Sequence, residues 1–162
     1  MGEKYTSFPK RKPTRIQNYD YSTPGAYFIT ICTAHREPLF WMDNHRRGEL
    51  CSPDNVPLSD IGFIVEGEIL KMDSIYTAVQ VDKYCIMPDH IHLILSITTD
   101  ADGRTQFAPT ISRVIKQFKG SVTKQIGRPI WQKSFYEHII RNRQDYDEIW
   151  KYIENNPLKY LL

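Results

Sequence analysis

The segment that most constrains this chain is Met87-Pro88-Asp89-His90-Ile91-His92-Leu93-Ile94-Leu95, two histidines one residue apart at the head of an apolar run. Such a run reads as a strand, and alternate strand residues share a face. His90 and His92 therefore present two imidazoles side by side, with Ile91 and Leu93 turned to the opposite face. That is a ready-made pair of metal ligands. The same spacing also arises where a half-exposed strand position simply tolerates histidine, but unpaired imidazoles among apolar neighbours are costly. His35, His45 and His138 have no comparable companions, and a structural role is expected for them.

The rest of the chain is organised around this motif. Ala78–Met87 and His90–Ile97 read as two strands parted by Pro88-Asp89, an antiparallel hairpin with the histidines just after its turn. Tyr27–Thr33 is β-branched and aromatic, which predicts a buried strand. Pro38 to Cys51 reads as a further hairpin, with Leu39-Phe40-Trp41 pairing back after a turn near Arg47-Gly48. From Leu58 the period turns helical through Ile61, Val65, Ile69 and Met72, with Ser59 as the N-cap. Thr99–Pro109 is a polar loop, and Thr110–Ile126 is the clearest amphipathic helix. Its stripe is Ile111, Val114, Ile115, Phe118 and Val122, while Arg113, Lys116, Lys119 and Lys124 lie off it with no acid among them. Trp131–Phe135 is the expected fourth strand, and a last helix from about Gln144 to Asn155 is expected to stop at Pro157. This order fits an α+β, ferredoxin-like sandwich: a four-stranded antiparallel sheet with helices on one face, plus a C-terminal helix. Residues 1–24 read as a basic extended arm and 25–162 as one domain.

Composition narrows the function classes. No apolar run reaches the length of a membrane span, and the basic N-terminus has no signal-peptide core. Cys32, Cys51 and Cys85 are odd in number and lack CxxC spacing, which predicts reduced thiols in a cytoplasmic protein. The net charge of +2 is unevenly spread. Residues 1–15 hold five Lys/Arg against one Glu, residues 16–100 five basic against twelve acidic, and residues 101–162 eleven basic against six acidic. Such polarity points to a polyanionic partner.

The last helix adds a second clue. Its apolar stripe is Tyr146, Ile149, Trp150 and Ile153. Tyr152 lies one residue's rotation from Ile153, roughly 100°, and Asn156 follows it at i+4, on the same side of the helix. With ten tyrosines in the chain, periodicity alone does not single this one out.

Four segments taken together resemble one family. Tyr84 to Leu95 (YCIMPDHIHLIL) resembles the His-hydrophobe-His motif of single-tyrosine HUH nucleases. Trp131 to Tyr160 resembles the C-terminal signature of REP-associated tyrosine transposases. Asp20 to Thr30 (DYSTPGAYFIT) and Ala108 to Ser112 through Gln117 to Lys119 are similar to that family too, so the likeness spans nearly the whole chain in order.

The resemblance implies that His90 and His92 bind a divalent metal, that Tyr152 is the nucleophile, and that Asn156 completes the metal ligation. Two imidazoles alone suit transition metals, whereas amide and phosphate oxygens favour harder ions; the resemblance implies Mg²⁺ or Mn²⁺. It further implies a metal-dependent endonuclease and strand transferase, acting on hairpin-bearing single-stranded DNA through a covalent 5′-phosphotyrosine. Arg11, Lys12, Arg113, Lys116 and Lys119 are the candidate phosphate contacts, although each also reads as an ordinary solvated charge. Glu148, one turn before Tyr152, is expected to be a solvated helix charge rather than the base that deprotonates it. Many members continue beyond the point matching Leu162, which implies that DNA contacts of such a tail are absent or replaced here. A monomer and a homodimer, with the tyrosine serving its own or its partner's histidines, are both open. A second reading is a domesticated DNA-hairpin-binding protein without active catalysis; a third is a metallohydrolase with water as nucleophile.

Overall fold

A computed structural model describes residues 23–42, 58–98 and 110–161, the side chains of 158–161 excepted. The expected polar loop, nearly all of the basic arm and most of the Pro38–Cys51 segment lie outside the described residues.

Four strands form one sheet: β1 (Gly25–Cys32), β2 (Val79–Ile86), β3 (His90–Ile97) and β4 (Tyr136–Ile140). Their order is β2-β3-β1-β4, and every neighbouring pair is antiparallel. The helices are α1 (Asp60–Leu70), the short α2 (Met72–Ile75), α3 (Ile111–Ile126) and α4 (Arg143–Leu161). With α1 between β1 and β2 and α3 between β3 and β4, this is the expected β-α-β-β-α-β sandwich with an added C-terminal helix.

Register assigns each residue to a face. Ile91, Leu93 and Leu95 of β3 lie opposite Ile31, Ile29 and Tyr27 of β1, and all six are fully buried. They share one core cluster with Val65 and Ile69 of α1 and the whole apolar stripe of α3. Each such aliphatic side chain contributes about 1.5–3 kcal/mol by leaving water. Tyr84, opposite Leu93, donates to the Glu66 carboxylate on α1 at 3.0 Å, which ties the helix layer to this face. The other face carries His90, His92 and Ile94 beside Cys32, Thr30 and Phe28. There α4 docks. The Tyr146 hydroxyl donates to Asp82 at 2.9 Å, where β2 bulges between Val81 and Lys83, and the Lys83 ammonium sits 4.8 Å from the Trp150 ring centroid.

Local chemistry sets the helix ends. Ser59 caps α1 as expected, its hydroxyl accepting from Gly62 N at 3.1 Å and donating to the Leu39 carbonyl at 2.6 Å. Gly62 is required where it stands, because a Cβ there would meet the Phe40 carbonyl oxygen at 2.2 Å. Thr110 caps α3, which ends at Gly127 with φ +80°, the left-handed residue that closes many helices.

Two expectations need correction. The fourth strand is Tyr136–Ile140, not Trp131–Phe135. Trp131 forms only an isolated bridge to Thr33, and the carbonyls of Gln132 and Ser134 accept from the Lys119 ammonium instead of entering a ladder. Glu137 points to the core face opposite Ile29, so the true strand lacks the clean alternation that marks a strand in sequence. Trp41 bridges Leu58, and its indole N–H donates to the Ile86 carbonyl at 2.7 Å; the turn expected near Arg47-Gly48 lies outside the described residues. Finally, Pro157 lies inside α4 rather than stopping it. Proline removes one N–H, the donor to the Ile153 carbonyl, but its fixed φ is helical, and burial of Ile153 and Pro157 favours continuation.

Candidate active site

His90 and His92 project from β3 as their spacing predicts, with ring centroids 4.7 Å apart and planes at 79°. Each ring is held through Nδ1. For His92 the partner is Thr30 Oγ1 at 2.8 Å, directly across on β1. For His90 it is the Asp89 carboxylate at 2.6 Å, whose other oxygen meets Arg36 Nε at 2.8 Å. A histidine that spends Nδ1 on a hydrogen bond keeps Nε2 for a ligand, the arrangement usual around metal-binding imidazoles.

His92 is only 4% exposed, and its buried Nε2 has no hydrogen-bond partner among the described residues. Burial, reinforced by the nearby charges of His90 and Arg36, pushes its pKa down to about 3. The ring is therefore neutral at physiological pH, the form that ligates. An orphaned buried nitrogen costs on the order of 1–3 kcal/mol, so its presence in a packed site needs an explanation. Burial pushes the thiol of neighbouring Cys85 up to about 12, so it is protonated in the metal-free protein. Cys85 and Cys32 are both free thiols.

Tyr152 comes from α4 and approaches the same pocket. Its ring centroid lies 5.3 Å from His92 and 6.0 Å from Phe28, and Phe28 itself stacks on His92 at 5.2 Å. The tyrosine is 44% exposed, so it contacts the buried imidazole while remaining open to solvent. One turn further along α4, the half-buried Asn156 has an amide nitrogen without a partner. Amide oxygen and nitrogen interchange by a flip, so this group can present either atom. The unpartnered His92 Nε2, and the Asn156 amide once flipped to turn its oxygen toward the orphaned position, are donors of the kind that fit a cation. Among the described residues no three His, Cys, Asp or Glu side chains cluster for a metal; the donors available are imidazoles and an amide.

The other predicted site residues fare differently. Arg113 and Lys116 are exposed on α3, in the helix layer opposite the histidine face. Lys119 donates to two backbone carbonyls at 2.8 and 2.9 Å, and burial lowers its pKa; it links α3 to the segment before β4. Arg11 and Lys12 lie outside the described residues. Glu148 accepts from Gln144 at 2.9 Å on the exposed side of α4, as a solvated helix charge does. His138 pairs with Asp145 at 2.9 Å, a structural tie between β4 and α4. Sequence reasoning missed Thr30, Phe28 and Arg36. It treated Asp89 only as part of a turn, although its place beside His90 was the available signal.

Known proteins resemble this chain in sequence and in fold. Residues 67–156 match the family described as Transposase IS200 like. A Haemophilus influenzae protein without assigned function is 31% identical over 91% of this chain and 88% of its own length. A second protein of that organism, provisionally named a REP-associated tyrosine transposase, is 34% identical over 90% of this chain and 78% of its own. The REP-associated tyrosine transposase of Escherichia coli is 33% identical over 50% of this chain and 46% of its own. A solved REP-associated tyrosine transposase bound to a REP hairpin shares the fold, with a TM-score of 0.58 at 23% identity over 90% of this chain and 74% of that one. The chain belongs to the IS200-like transposase family, among its REP-associated tyrosine transposases.

Proposed function

We propose that this chain is a metal-dependent, single-strand-specific DNA endonuclease and strand transferase that cuts beside DNA hairpins through a covalent 5′-phosphotyrosine on Tyr152. One observation carries the reading. The half-exposed Tyr152 ring packs against His92, whose buried Nε2 is unpartnered. His90, His92 and Asn156 are the proposed ligands, and a bound Mg²⁺ or Mn²⁺ would polarise a phosphate and offset its charge.

The remaining chemistry belongs to the chain itself. The Tyr152 phenolic oxygen attacks phosphorus while the bond to the 3′ oxygen breaks. The departing strand takes up a proton as a free 3′-hydroxyl, and the phenol gives up its own. One phosphodiester has become another, so a 3′-hydroxyl from a second strand can reverse the step and join DNA. Thr30 and Asp89 fix the two imidazoles, and Phe28 supports both His92 and Tyr152. Arg11, Lys12, Arg113 and Lys116 are proposed phosphate contacts, with Lys119 contributing only the capacity left by its two carbonyl bonds. A related protein has been solved on a REP hairpin, which favours hairpin-bearing DNA as the partner here. A DNA substrate of this kind would place the protein in the cytoplasm, on the nucleoid when bound; among the described residues no helix is long and apolar enough to cross a membrane. Tyr152 beside His92 of its own chain supports a site completed within one chain, whether as monomer or homodimer.

The test is incubation of a labelled library of single-stranded hairpins with Mn²⁺ or Mg²⁺, resolved on a denaturing protein gel. A labelled protein band that disappears with chelator is expected. Hairpin binding with no adduct would instead favour a domesticated binding protein. Metal-dependent cleavage that survives Tyr152→Phe would make water the nucleophile.

A further inference from the structure

Between β1 and the histidine strand, the chain makes a bend that its sequence does not require. His35 (φ 56°) and Arg36 (φ 59°) are consecutive left-handed residues, and neither is glycine. Such backbone is disfavoured for L-residues and gathers at functional sites. Thr33 clamps the bend: its hydroxyl bonds the carbonyls of Glu37 at 2.8 Å and Asp89 at 3.0 Å. Its backbone N–H also donates to the Asp89 carbonyl at 2.9 Å. The result is a fixed guanidinium. Arg36 Nε meets Asp89 at 2.8 Å and Nη1 meets Cys32 Sγ at 2.8 Å, while half of the side chain stays open.

The location is what calls for explanation. Asp89 holds His90 with its other oxygen, Cys32 lies opposite His90 in the register, and the Arg36 charge is felt at His92. A fixed cation beside groups that receive a cation opposes metal binding, and the single Asp89 carboxylate offsets only part of that. The arrangement makes sense when an anion shares the site, and guanidinium geometry matches phosphate.

We propose that Arg36 is a catalytic residue of this site, its open edge contacting the phosphate that Tyr152 attacks or the one next to it. This rests on the nuclease reading above. The contact stabilises charge on the phosphate oxygens and leaves metal affinity to His90, His92 and Asn156.

The test uses Arg36→Gln and Arg36→Lys, each alone and with Tyr152→Phe, and thermal unfolding to confirm the fold. Mn²⁺ binding to the DNA-free protein is read by electron paramagnetic resonance. Hairpin-strand binding is read in the Tyr152→Phe background, and adduct formation under single turnover with Tyr152 intact. For Arg36→Gln we expect Mn²⁺ affinity within about threefold of the parent, strand binding weaker by about tenfold, and adduct formation slower by about 10²-fold. Arg36→Lys should recover part of both losses. If Mn²⁺ affinity falls in step with the rate, Arg36 acts only by positioning His90 through Asp89, and the proposal is overturned. Unchanged strand binding also overturns it. If Arg36→Gln does not fold, Arg36→Lys decides, since loss of the bidentate fork alone must weaken strand binding and spare Mn²⁺. Should the parent protein form no adduct, the nuclease reading fails separately, and the strand-binding arm still judges the phosphate contact.

Discussion

The two faces of this sheet are built to different standards. Under α1 and α3, Tyr27, Ile29, Ile31, Ile91, Leu93 and Leu95 are fully buried and interlock with the α3 stripe. Under α4 the same strands present imidazoles, a threonine and a phenylalanine, and two buried polar atoms lack partners. One face gathers apolar area; the other leaves polar atoms unpartnered at some cost in stability. Because strand residues alternate, β3 serves both purposes with one sequence, HIHLILSI. Substitutions on the two faces should therefore separate folding from chemistry.

The largest expected effect is on activity. Tyr152→Phe should abolish DNA–protein adducts while moving the thermal midpoint by no more than about 2 °C. The ring that touches Phe28 and His92 is retained, and a partly exposed hydroxyl is lost. Equal loss of fold and adduct would erase the distinction between the faces. On the opposite face, Leu93→Ala should cost about 2–5 kcal/mol in urea denaturation, because a fully buried side chain leaves a cavity between two strands and the helix layer.

Asn156→Leu sharpens the comparison further. Removing a half-buried amide whose nitrogen lacks a partner, in favour of an apolar group of similar size, should leave the metal-free protein as stable or slightly more stable. Mn²⁺ affinity, measured by calorimetry, should fall by about tenfold or more. A clear drop in metal-free stability would show that the amide is already satisfied. The smallest effect is expected at the α1 cap: Ser59→Ala should lose about 1 kcal/mol in the same denaturation assay, with adduct formation unchanged.

How far the sequence revealed each face follows from the same contrast. β1 and β3 were legible as runs of β-branched and apolar residues, and α3 as an apolar stripe of period 3.6, because burial selects both patterns. β4 was misplaced because its core-facing Glu137 breaks the alternation while Trp131 and Phe135 imitate a strand, and α4 passes the proline that was expected to end it. In the site, the His90–His92 pairing was readable from spacing alone. Tyr152 and Asn156 stood out only through family resemblance, since helical position cannot rank one of ten tyrosines. Thr30, Phe28 and Arg36 were out of reach. The first two are brought to the histidines by strand register, and the third by a left-handed bend formed without glycine.

The most direct measurement is peptide mapping by mass spectrometry of the protein after reaction with hairpin DNA and Mn²⁺, followed by nuclease trimming of the attached strand. The account predicts a single 5′-phosphonucleotide adduct, on the peptide carrying Tyr152. An adduct on any other residue, or complete cleavage with none, would contradict it.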